Sequence, residues 1–118
     1  MIALSEAQEQ KMLFAWAGWM ESKWPELKLM HHVANEGKRS LVGNIELNRQ
    51  GRKKGVPDIC LPVARKKANG LYIELKRQGG RLTPEQKEWL ERLREQGYHA
   101  TVAYGWEQAR EIIEEYLE

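Results

Sequence analysis

Cysteine, phenylalanine, long apolar runs and a strong charge of one sign are all scarce in this chain. One cysteine, Cys60, stands among 118 residues. A single thiol offers no disulfide framework, and within the apolar run Ile59-Cys60-Leu61 it reads as a small buried hydrophobe rather than a nucleophile. No apolar stretch approaches the roughly 18 residues that span a bilayer, which excludes a transmembrane helix. The N-terminus shows no basic segment followed by an apolar one, so a signal peptide is not expected and a cytoplasmic protein is. The net charge of +2 does not by itself call for a nucleic-acid partner. Adjacent strand histidines point to opposite faces, so His31 and His32 make a poor metal pair and suit a structural or DNA-edge role.

What is present is a single globular domain by length, with 42% hydrophobic and 31% charged residues. Ser5 with Gln8 forms a capping-box pattern, and Met12, Leu13, Trp16, Trp19 and Met20 recur at helical spacing, which predicts a helix from Ser5 to about Trp24, ended by Pro25. Alternation predicts a strand over Leu27 to Val33, and Asn35-Glu36-Gly37 a turn. Ser40 to Asn48 reads as a short helix with Leu41, Ile45 and Leu47 inward. Strands are expected at Val56 to Val63 and Leu71 to Arg77, joined through a polar stretch whose turn signal is Asn69-Gly70. Thr83 caps a helix with Pro84 in its first position and Gln86 closing a second capping box. It buries Trp89, Leu90 and Leu93 and stops at Gly97. Tyr98 to Tyr104 reads as a strand and Trp106 to Leu117 as a last helix. The order predicts an α/β domain, a mixed sheet covered by helices. The five tryptophans fall mostly at helical core positions and read as packing or dimer-interface residues.

The chemistry gathers on the two central strands. Residues two apart share a strand face, so Glu74 and Lys76 point the same way with Leu75 buried opposite. With Asp58 on the neighbouring strand, two carboxylates and an ammonium converge, a cradle for a hard divalent cation beside a phosphate. Basic residues cluster around this point in sequence: Arg49, Arg52, Lys53 and Lys54 before Asp58, Arg65, Lys66 and Lys67 after it, and Arg77 and Arg81 beyond Lys76. That suits a polyanion held through its phosphates, with Arg39, Arg52, Lys53, Lys54 and Arg81 as contact candidates. Taken singly, each is more often a solvated charge.

The spelling Pro57-Asp58, a spacer, then Glu74-Leu75-Lys76 resembles the PD-(D/E)XK nuclease superfamily. Gly55-Val56-Pro57-Asp58-Ile59, Tyr72-Ile73-Glu74-Leu75-Lys76, Gly79-Gly80-Arg81-Leu82-Thr83-Pro84-Glu85-Gln86 and Trp89-Leu90 are similar to the VRR-NUC family. So are the opening Ser5 to Gln10 and the region His32 to Arg39. The likeness covers nearly the whole chain and is nearest to small standalone, phage-type members. One departure is the leucine between acid and lysine, a core-facing position at which the chemistry is not weakened. The resemblance implies a PD-(D/E)XK core and a Mg²⁺- or Mn²⁺-dependent endonuclease acting on branched DNA, with Holliday-junction cleavage by a homodimer. It implies Asp58, Glu74 and the Leu75 carbonyl as metal ligands, Lys76 beside the reacting water or phosphate, and a third acid from the first helix. Glu6 is the candidate for that acid, with Glu9 competing, and Gln86 either reaches the site or only closes its capping box.

Overall fold

The computed structural model describes residues 3–34 and 40–118. The chain runs α1 (Glu6–Trp19), a 3₁₀ helix (Pro25–Leu29), β1 (His31–His32), α2 (Leu41–Arg49), β2 (Ile59–Leu61), β3 (Leu71–Lys76), α3 (Pro84–Glu95), β4 (His99–Tyr104) and α4 (Trp106–Leu117). The strands form one sheet in the order β1-β2-β3-β4. The first three pair antiparallel and β3 pairs parallel with β4. This is the expected mixed sheet flanked by helices.

Both anticipated capping boxes are made, by Ser5 with Gln8 on α1 and by Thr83 with Gln86 on α3. They fix where these helices begin, because each satisfies two backbone donors that the first turn leaves open. Along β3, Leu71, Ile73 and Leu75 join the main core with Leu13 and Ala17 of α1 and Ala109, Ile113 and Leu117 of α4. On the opposite face lie Tyr72, Glu74 and Lys76, and a smaller buried set of Cys60, Leu90 and Ala100 sits apart from that core. α3 therefore covers one face of the sheet, and α1 with α4 the other.

Four local expectations are corrected. The first helix stops at Trp19, and Pro25 opens a 3₁₀ helix instead of merely ending one. Leu27 to Val33 is not one strand: Leu27 and Met30 are buried while Leu29 is exposed, a three-residue period that fits the 3₁₀ turn, and only His31–His32 pairs. On α2, Leu41 is 76% exposed and Ile45 is exposed too, so they face outward, and only Leu47 is partly covered. Between β2 and β3 the chain reverses at Lys66 and Lys67, both at positive φ, with Arg65 and Ala68 bonded across the turn. Asn69 instead ties to the α3 exit, donating its N–H to the Gly97 carbonyl and its side-chain amide to the Gln96 carbonyl. The Asn35-Glu36-Gly37 turn lies outside the described residues.

β4 is an edge strand, and side chains occupy several of its backbone groups. Arg94 Nε donates to the Ala100 carbonyl, Gln78 Nε2 donates to the Tyr104 carbonyl, and Gln108 Oε1 accepts the Tyr104 N–H.

Candidate nuclease-type active site

β2 is shorter than expected, so Asp58 precedes the strand instead of lying within it. Ile59 pairs with Ile73 in an antiparallel register, and continuing that register sets Asp58 opposite Glu74. Glu74 looks toward α3, and Asp58, one residue short of β2, stands beside it. Asp58 also replaces the missing strand bond: its Oδ2 accepts the Leu75 N–H at 3.0 Å. Its carbonyl accepts the Val33 N–H at 2.6 Å, and His32 Nδ1 lies 3.0 Å from that oxygen. A carbonyl only accepts, so Nδ1 carries the proton there. Asp58 is thus fixed at both backbone and side chain, between β1 and β3.

Glu74 is 1% exposed, Asp58 and Lys76 7% each. Buried charges need partners. Lys76 Nζ stands 3.9 Å from Glu74 Oε2, an ion pair too wide for a direct hydrogen bond. Gln86, buried on the first turn of α3, donates its amide N–H to the same Oε2 at 3.3 Å. Asp58, Glu74, Lys76 and Gln86 are therefore brought together. Two carboxylates against one ammonium leave excess negative charge in a site that excludes bulk water, and the all-oxygen donors match a hard cation such as Mg²⁺ or Mn²⁺.

Glu6 is not brought into that group. It is half-buried in the first turn of α1, and among the described residues no three His, Cys, Asp or Glu side chains converge as a metal cage. Its rival Glu9 is buried and has other work: Oε1 accepts the Trp106 N–H at 3.1 Å. α4 begins at Gly105, held at φ +95° by its place in the turn and lacking a capping side chain, so the carboxylate from α1 caps α4 instead. The sequence separation hid this contact.

Of the phosphate candidates, Lys53, Lys54 and Arg81 are exposed and Arg52 is half-buried. Arg52 Nε donates to Asn48 Oδ1, and Lys54 pairs with Glu85 at 3.4 Å. Its own backbone N–H first, then the Lys54 ammonium, hold the Glu85 carboxyl below its ordinary value. Arg39 lies outside the described residues. Cys60 is buried, and burial pushes its thiol up, so it is an inert core residue. His32, at the Asp58 carbonyl, neighbours the site in a structural role, one of the two roles the sequence suggested for it.

A family model described as the VRR-NUC domain matches residues 4–107. A solved structure described as a VRR_NUC domain protein superposes with a TM-score of 0.85 at 30% identity, covering 98% of this chain and 90% of the other. No curated protein matches.

Proposed function

We infer the activity from one premise: this chain belongs to the VRR-NUC family, and a VRR-NUC domain is a nuclease-type domain. The protein is a divalent-metal-dependent endonuclease that hydrolyses phosphodiester bonds in branched DNA. The observation that carries this reading is the burial of Asp58 at the end of β2 next to Glu74 and Lys76 of β3. A bound Mg²⁺ or Mn²⁺ would supply charge neutralisation at the scissile phosphate and a more acidic attacking water. Asp58 and Glu74 would hold that ion, with the Leu75 carbonyl as a further ligand. Lys76 orients the water or stabilises the negative charge that grows on phosphate. Arg52, Lys53, Lys54 and Arg81, with Arg39, neutralise flanking phosphates.

Two cuts across a four-way junction require two active sites, which a C₂ homodimer provides. Trp19 of α1, 83% exposed, and Leu41 with Val42 on α2 each supply apolar surface on which a second copy can pack. A monomer in light scattering at micromolar concentration would overturn the junction-resolving form of this reading.

The deciding assay incubates labelled four-way junction, flap and duplex DNA with and without Mg²⁺ or Mn²⁺. Junction cleavage that requires the metal is expected. Asp58→Ala is expected to lower the rate on the order of a thousandfold while folding is kept. Full activity in excess EDTA, or in Asp58→Ala, overturns the mechanism. Cleavage confined to flaps would move the substrate assignment and leave the chemistry standing.

A further inference from the structure

One side chain performs two tasks at the start of α3. Thr83 Oγ1 accepts the Gln86 N–H at 3.2 Å, and Gln86 Oε1 accepts the Thr83 N–H at 2.9 Å. The other end of that amide, Nε2, donates to Glu74 Oε2. The amide's direction is therefore set. Turned over, it would put its NH₂ against the Thr83 N–H and its oxygen against a carboxylate, two repulsive contacts in place of two bonds.

A capping box closes with glutamate as readily as with glutamine. The box alone thus does not account for an amide here, whereas the contact to Glu74 does, since a glutamate would set a second carboxylate on the first. The same turn also supports the other acid. Gly55, at φ +94°, comes so near α3 that a Cβ would lie 2.8 Å from the Glu85 carbonyl carbon, and Gly55 begins the segment that ends at Asp58.

We propose that Gln86 is a positioning residue for Glu74, a neutral donor that holds the carboxylate in one orientation, its own direction set by the α3 cap. The effect on cleavage rests on the nuclease reading; the effect on Glu74 does not. Thr83→Ala and Gln86→Leu each remove one half of the capping box, so both are expected to lower Tm by a similar amount, about 4 °C. Their kinetics are expected to part. Thr83→Ala keeps the backbone N–H that aims the amide, and its kcat stays within about twofold of wild type. Gln86→Leu loses at least about tenfold in kcat with KM for DNA unchanged. Gln86→Glu restores the box without the donor and is expected not to restore kcat. A wild-type kcat in Gln86→Glu, or equal losses of kcat in Thr83→Ala and Gln86→Leu, overturns the proposal. Crystal structures of the metal-free wild type and Gln86→Leu read the positioning directly: one Glu74 rotamer is expected in the first and several in the second, and the same single rotamer in both overturns it. A wild-type protein that cuts none of the DNA substrates defeats the nuclease reading, and the crystallographic pair still decides the role of Gln86.

Discussion

On the sheet face under α1 and α4, β3 presents Leu71, Ile73 and Leu75 to a continuous apolar core. On the face under α3, the same strand presents Tyr72, Glu74 and Lys76, and the apolar packing shrinks to Cys60, Leu90 and Ala100. Both faces are buried, so burial alone does not distinguish them. What differs is what satisfies the buried atoms: on one side dispersion and exclusion of water, on the other a few directed polar contacts. A site that holds charges away from water needs a stable support, and here that support is the reverse side of its own strand.

If the faces divide stability and chemistry in this way, Ile113→Ala on the α4 side should have the largest effect on folding. Loss of about 2–5 kcal/mol is expected from denaturant melts, with kcat unchanged in the folded fraction. A fall in kcat without a fall in stability would break the division. Gly55→Ala should blur it from the other side. Positive φ and the close Glu85 backbone make any side chain there displace the Asp58 arm, so a stability cost of about 2 kcal/mol and a loss of cleavage should appear together.

The two acids of α1 give a smaller and sharper test. Glu9→Ala removes the cap of α4 and is expected to cost about 1 kcal/mol by thermal melting. Glu6→Gln should leave Tm unchanged and, because Glu6 stands outside the Asp58 and Glu74 group, should keep cleavage within about twofold of wild type. The smallest effect concerns pH. Burial first, then Cys60 and Tyr98, pushes the Tyr72 phenol up to about 12 from its usual 10. A folded-state value above the unfolded one favours folding fully below pH 10 and less as the pH climbs from 10 toward 12. Tyr72→Phe should flatten Tm against pH in that window, best compared where Cys60, which burial also raises, is replaced by serine in both proteins.

Features with local causes were legible in the sequence. The two capping boxes and the alternation of Leu71-Tyr72-Ile73-Glu74-Leu75-Lys76 follow from neighbours within a few residues, and the grouping of Asp58 with Glu74 and Lys76 from the pairing of two consecutive strands. What was hidden depends on distant contacts. The covering of Leu27 and Met30 by the core turned an apparent strand into a 3₁₀ helix, and the lack of packing over Leu41 and Ile45 turned an apparent inner face outward. Glu9 looked like a candidate catalyst because nothing in its own segment reveals Gly105, the uncapped start of α4. Similarly, Gln86 posed a choice between cap and site, and only the fold brings Glu74 to the far end of its amide.

The polar side chains along β4 matter for behaviour in concentrated solution. An open strand edge templates growth, since each free N–H and C=O can recruit another chain and the addition exposes a fresh edge. Arg94, Gln78 and Gln108 already occupy groups at both ends of this edge, and a charged guanidinium stands where an incoming strand would have to lie. An approaching strand must first displace those bonds, so the exposed side of the sheet is a poor seed for fibres, and copies of the protein can crowd together without their sheets joining edge to edge.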